Sequence, residues 1–327
     1  MTAQAFGEAA MMAATSYRES MAELAQKSDL DIWYERVDPS SVVAALAALP
    51  AAKQTEGLKK SRPKKRKKVA ELAAAAVQKR VAKARARDAW SAIEKITEVV
   101  DGERRFLNQP PLLARLEANA ETHALVNHLF HTYRATLEED RQVLLRRYEI
   151  IDFGHKVVGV GSVGLLAFVL LMRGRDNDDL MVLQVKQAQS SVLEPYTRKS
   201  VYTKHGHRVV AGQRLMQTAS DSFLGWIQGP GGRHFYVRQL RDMKWSPDPS
   251  VLNADKIVRY AMLCGHTLAR AHARAGDSVA ISAYLGGGSS FDKAITEFAI
   301  AYADQTERDF AEFTAAIADG RIEAHEE

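Results

Sequence analysis

The sequence has a single cysteine, Cys264, among 327 residues. That excludes an internal disulfide and every cysteine-rich zinc site, and it suits a reducing cytoplasm. Long hydrophobic stretches are also missing. No apolar run exceeds the one at residues 165–172, which is too short to cross a bilayer. The first 25 residues include Glu8, Arg18 and Glu19 and lack the layout of a signal peptide, so export is not expected. The Gly-x-Ser-x-Gly elbow of serine hydrolases does not occur. No repeat stands out at the period of a solenoid or propeller.

What is present is ordinary globular usage, with 46% hydrophobic and 26% charged residues. Collagen-like and wholly disordered chains are thereby excluded, and the length suits one large domain or two ordinary ones. Charge is unevenly spread. Residues 59–68 read KKSRPKKRKK, with eight basic residues (Lys59, Lys60, Arg62, Lys64, Lys65, Arg66, Lys67 and Lys68) and no acid. Removing those eight charges from the net +5 leaves −3, so the basic character is local. Such a run suits an acidic partner or nucleic acid, with steep salt dependence. No aromatic residue interleaves it, so it offers no platform for base stacking.

Helical periodicity opens the chain, with Phe6, Ala10, Ala13, Tyr17, Met21 and Leu24 on one expected face. Asp38-Pro39-Ser40 reads as a helix start. Residues 51–68 read as an exposed connection, and residues 67–90, rich in Ala, Lys and Arg, as a further helix. Asp101-Gly102 between two short apolar runs predicts a hairpin over about 95–107. Residues 116–148 read as two helices broken near Thr136. After residue 148 the pattern turns to strands, at 157–160, 165–172, 181–185 and 235–240, with a helix at 207–220. Two closing helices are expected, one with the stripe Ile257, Ala261, Cys264, Leu268 and Ala271, the other with Phe291, Ile295, Phe298 and Tyr302. Clustered strands suggest an α+β chain rather than a doubly wound one. The expected division is a helical region 1–150, a strand-rich lobe 151–245 and a helical end 246–327.

Gly159-Val160-Gly161-Ser162-Val163-Gly164 matches G-x-G-x-x-G. Glycine-rich turns are common, and two arrangements give this one chemistry. In a dinucleotide-binding fold a helix follows the loop and takes phosphate at its N-terminus, with an acid about 20 residues further on. In a kinase-like lobe strands flank the loop, its backbone N–H groups cover the phosphates, and a lysine on the third strand neutralises them. Here the loop is followed by an apolar run, a polar turn and a second run ending in Val185-Lys186. A lysine stands where the first arrangement wants an acid, so the second is favoured. Gly159, Gly161, Ser162 and Gly164 are then the candidate phosphate cover and Lys186 the candidate phosphate contact.

Several segments together resemble a known bacterial family, catalogued as domain of unknown function 2252. They are residues 156–164 around the glycine loop, Leu183-Gln184-Val185-Lys186, Gln213-Arg214-Leu215-Met216-Gln217, residues 236–244 (YVRQLRDMK) and residues 268–274 (LARAHAR). Members of that family look like distant relatives of protein kinases and aminoglycoside phosphotransferases. The resemblance implies a kinase-like antiparallel sheet with mostly helical flanks, ATP with Mg as the cofactor, and the strand around Gln239 leading into an adenine-holding hinge. Family members also carry Gly-Asp-x-His-x-x-Asn-Phe-Gly and Asn-Asp-Phe-Asp motifs ahead of the glycine loop, similar to a catalytic loop and a metal-holding acid. Neither occurs in these 327 residues. The resemblance therefore implies an N-terminally shortened member that binds nucleotide without transferring phosphate. The alternatives are a non-catalytic interaction protein working through residues 59–68, or a fragment of a phosphotransferase. A second departure is Gln187, where the family has Glu.

Three smaller features complete the reading. Asp152-Phe153-Gly154 spells the kinase metal motif in the wrong place, and is expected to be the start of a strand with a solvated aspartate. His266 and His272 are expected as hydrogen-bonded histidines near the core, since too few ligands surround them for a metal. His205 and His207 are expected in a solvated loop.

Overall fold

The structure, a computed structural model, describes residues 3–35, 93–117, 119–157, 164–240 and 252–324. The basic run 59–68, the helix start at Asp38-Pro39-Ser40, the helix expected over 67–90, and Gly159, Gly161 and Ser162 lie outside the described residues. The chain is a mixed α+β protein whose sheets are antiparallel. It forms two compact units, Met1–Val77 with Ser246–Glu327, and Gln78–Trp245. The first helices share a unit with the last ones, and the hairpin and the helices after it belong with the sheet. Such pairing of chain ends leaves no local sequence signal. Among the described residues no helix is long and apolar enough to cross a membrane.

The sheet unit begins with the Asp101-Gly102 hairpin. β1 (Thr97–Val100) pairs with β2 (Glu103–Phe106) in the register Val100↔Glu103. Asp101 and Gly102 both have positive φ, 53° and 79°, the geometry of the two-residue turn that matches strand twist. The main sheet has six strands in the order β3-β4-β5-β6-β8-β7. They are β3 (Leu113–Arg115), β4 (Glu149–Lys156), β5 (Ala167–Arg173), β6 (Leu180–Ala188), β7 (Gly225–Gln228) and β8 (His234–Gln239). β3 has no visible signal in the sequence, being three residues long beside Pro110-Pro111. Of the strand expected at 157–160, residues 158–160 lie outside the described residues, and β4 ends just before it at Lys156.

Side chains alternate between the two faces of the sheet. One face, with Phe153, Leu170, Leu183, Val185 and Phe235, packs against Phe130 and Tyr133 of α3 (Ala120–Arg134), and α4 (Glu139–Leu145) adds Leu145. The other carries Val169, Leu171 and Val182, which are sealed by Phe106 of the hairpin and by Leu113. α5 (His205–Met216) joins β6 to β7 and packs on β6, β7 and β8. Gly206 sets its approach: a side chain there would meet the Phe235 carbonyl at 2.2 Å.

Asp152 is not solvated, contrary to the expectation. It is 5% exposed in the middle of β4. Its Oδ2 accepts the Phe106 N–H at 2.8 Å and lies 3.2 Å from Arg115 Nε. The carboxylate thus fastens the hairpin and β3 to the sheet, a role that depends on segments far apart in sequence.

The helical unit contains α1 (Ala3–Leu24), α2 (Asp29–Tyr34), α6 (Ala254–Ala275), α7 (Ser278–Leu285) and α8 (Ser290–Ala318). All the expected helices outside the undescribed stretch exist here, but their faces are turned. Phe6 is exposed on α1, while Ala5, Ala9 and Ala14 are buried with Met21 and Leu24. On α6, Cys264 and Leu268 are exposed and the buried face is Gly265, Ala269 and Ala273. On α8, Ile295, Phe298 and Tyr302 are exposed, and Asp292 and Thr296 are buried instead. Small residues win on α6 because α1 comes very close: a side chain at Gly265 would meet the Ala13 carbonyl at 2.2 Å. On α8 an ion pair decides. Arg18 of α1 binds Asp292 through Nε and Nη2 at 2.8 to 3.1 Å, and Thr15 adds a bond at 3.0 Å. His266 and His272 are half-buried and hydrogen-bonded, as expected, at 3.0 Å from Ser20 Oγ and 2.9 Å from the Tyr17 hydroxyl.

Three outcomes are expected. Gly265→Ala lowers the melting temperature, because overpacking against backbone (about 1–3 kcal/mol) outweighs the helix-propensity gain of ~1 kcal/mol. Asp152→Ala costs about 3 kcal/mol in chemical denaturation, since it strands a half-buried Arg115 and a buried N–H. The third concerns pH. Burial alone would raise the Asp292 carboxyl, but the bonds from Arg18 and Thr15 outweigh it and hold the group below the usual carboxylate range. A depressed folded value means stability that is complete above the unfolded value near about 4 and lost as pH falls through the folded one. Circular dichroism melts should therefore weaken below about pH 4, and Arg18→Met should remove about 3–5 kcal/mol already at neutral pH.

Candidate functional site

The glycine segment joins β4 to β5, and these strands are antiparallel neighbours, with His155 opposite Phe168. A strand therefore enters the loop and a strand leaves it. The dinucleotide arrangement, in which a helix would leave, does not apply. Gly164, the last glycine of the motif, has φ +82° and nothing near its Cα that a side chain would touch. This backbone is one that only glycine takes readily. Gly159, Gly161 and Ser162 fall outside the described residues, so only the stems of the loop are placed.

Lys186 lies within β6 rather than at its end. It stands directly across from Ala167, the first residue of the strand leaving the loop, and from Tyr236 on its other side. By the two-residue alternation it shares a face with Gln184, Val182, Tyr236 and Arg238. The residue after it does what the sequence does not announce. Gln187 donates its backbone N–H to the Leu166 carbonyl at 2.8 Å, and its Oε1 accepts the Leu166 N–H at 3.2 Å. Both bonds of this clamp hold the C-terminal stem of the glycine loop beside Lys186. The only sequence signal for it is a polar side chain in an apolar strand.

Gln239, expected near an adenine hinge, ends β8 with its N–H donated to Asp221 Oδ2 at 2.9 Å. The next N–H, of Leu240, is bonded to the Val182 carbonyl at 2.8 Å. Neither donor is open to a base. Arg238 reaches across to Gln184 Oε1 at 3.4 Å. The face beyond Lys186 is closed: Gln184 is 3% exposed, and Val182 and Val169, 2% and 0% exposed, pack with Phe106.

α5 covers the other side of the same face. Its sequence, HGHRVVAGQRLM, contains no acid, so it cannot supply the glutamate that pairs with a strand lysine in protein kinases. It brings basic and aromatic groups instead. His205 and His207 sit in its first turn, not in a loop. The His205 N–H bonds to His234 Nδ1 at 3.2 Å, and His207 stacks on Trp226 with ring centres 5.1 Å apart. Lys204 lies over the Trp226 ring at 4.9 Å. Burial, with the nearby His205 and Lys204, pushes His234 below the ordinary histidine value, favouring the neutral ring that can accept the His205 N–H. Asp152, Phe153 and Gly154 are in mid-strand, and the Asp152 carboxylate is committed to Phe106 and Arg115. Among the described residues no group of three or more His, Cys, Asp or Glu side chains is placed to hold a metal ion.

Comparison with known proteins adds one finding. A family model described as an uncharacterized protein conserved in bacteria (DUF2252) matches residues 1–316. No curated protein and no solved structure matches the chain. The chain belongs to the DUF2252 family.

Proposed function

We propose that this DUF2252 member is a phosphate-binding, kinase-like protein of the cytoplasm that holds the phosphates of ATP, or of a similar polyphosphate, at the glycine loop and Lys186. One observation carries the reading: Ala167, where the chain leaves the loop, is paired with Lys186. This supports a cationic side chain on a rigid strand close to where the glycine segment ends, which suits the phosphate contact of phosphoryl-transfer lobes. The order of parts supports it as well. Strand, glycine loop, strand, strand with lysine, helix, strand and strand follow one another in a single antiparallel sheet. Protein-kinase lobes use the same succession.

The site is read as a binder rather than a catalyst. Transfer needs an acid that holds Mg²⁺ and a base that orients the nucleophile. Asp152, the nearest motif acid, is spent on Arg115 and Phe106. The base of the nucleotide contributes little, because the adjoining sheet face is filled by Phe106 and the Gln239 and Leu240 N–H groups are taken.

In a thermal-shift titration, ATP and inorganic tripolyphosphate are each expected to raise the melting temperature, by similar amounts. A ligand at ten times its Kd adds ~1.4 kcal/mol. Lys186→Ala should abolish the shift, and Gln187→Leu should shrink it while costing about 1 kcal/mol of stability. A shift unchanged in Lys186→Ala sinks the proposal. Sustained phosphate release that Lys186→Ala abolishes would instead overturn the non-catalytic part of it.

A further inference from the structure

The sheet face opposite Lys186 holds a cavity. α3 lies across that face, and between them is an empty space of about 250 Å³, lined chiefly by Val126, Leu129 and Phe130 of α3 and by Phe153, Phe168 and Phe235 of the sheet. Native interiors seldom leave voids much larger than a water molecule. Apolar cavities of roughly 150 Å³ stay dry and accept benzene, and sites for drug-sized ligands begin near about 300 Å³. The present cavity falls between these sizes.

Its few polar groups narrow the ligand further. The Tyr133 hydroxyl is already donated to the Phe223 carbonyl. Among the described residues that leaves Thr122 and Arg233. Arg233 follows the short 3₁₀ turn Pro230–Gly232 and is exposed. Its guanidinium has no ion-pair partner among the described residues. Leu116 and Leu125, which also line the space, are 37% and 43% exposed, so the cavity has an apolar opening to solvent.

We propose that this cavity is a binding site for a medium-chain carboxylic acid, with its hydrocarbon chain between α3 and the sheet and its carboxylate at Arg233. An apolar body suits the aromatic and aliphatic walls, and a planar fork of donors at the mouth suits a carboxylate. The site is independent of the phosphate reading, since Lys186 points to the other face.

The test uses the full chain and sodium decanoate, titrated below its micellar range, with decanol as the neutral counterpart. Decanoate is expected to raise the melting temperature in a dose-dependent way, and more than decanol does. Arg233→Gln should weaken decanoate roughly five-fold, to the level of decanol, as for loss of one partly exposed ion pair. Val126→Phe fills the cavity and should abolish both shifts. Should that variant melt without cooperativity, Leu125→Trp at the exposed rim blocks the opening with no burden on the core. Lys186→Ala should bind decanoate as the native chain does. Absence of any shift with decanoate, or an equal shift in a cooperatively folding Val126→Phe or Leu125→Trp variant, would overturn the proposal.

Discussion

The pairing register of β5 with β6 is the constraint on which the rest of the sheet unit depends. With Ala167 opposite Lys186, the lysine lies beside the first residue of β5 and on the face that α5 and the hairpin cover. A slip of one residue would exchange Lys186 with Val185 and turn every side chain of β6 over. The register is held by apolar residues on both faces, and just ahead of β5 by the two bonds between Gln187 and Leu166. A polar side chain thus stabilises a local geometry that hydrophobic burial alone would leave loose.

The two faces meet different demands. One packs against α3 and leaves room inside the contact. The other is sealed by a hairpin whose attachment is electrostatic: Phe106 packs with Val169 and Val182 while Asp152 accepts its backbone N–H. A buried carboxylate is costly unless it is paired and hydrogen-bonded, and Arg115 with the Phe106 N–H satisfies it. The same arrangement removes Asp152 from any role in holding a ligand. Gly206 makes the third adjustment, letting α5 settle against the β8 backbone where any side chain would collide.

In the helical unit the same logic places small and charged residues where hydrophobic ones were expected. α1 meets α6 through Gly265, Ala269 and neighbouring alanines, and meets α8 through Arg18 and Asp292. Close backbone approach recovers in dispersion contacts what larger side chains would recover in buried area. Leu268, Phe298 and Tyr302 consequently face outward.

Local chemistry was legible in the sequence. The Asp101-Gly102 turn, the break near Thr136, the strands on either side of the polar turn at 174–179 and the α+β class all follow from short-range rules, because turn dihedrals and hydrophobic periods are set by a few neighbouring residues. Lys186 on the second strand after the glycine segment could be read in the same way, since strand, turn and strand are consecutive. What tertiary structure decided is which face each helix buries, that Asp152 is sealed, that Gln187 clamps the loop, and that the chain's two ends share one unit. Those outcomes rest on partners such as Arg18 and Asp292, far apart in the chain, and no local pattern of residues encodes a contact whose other half lies so distant.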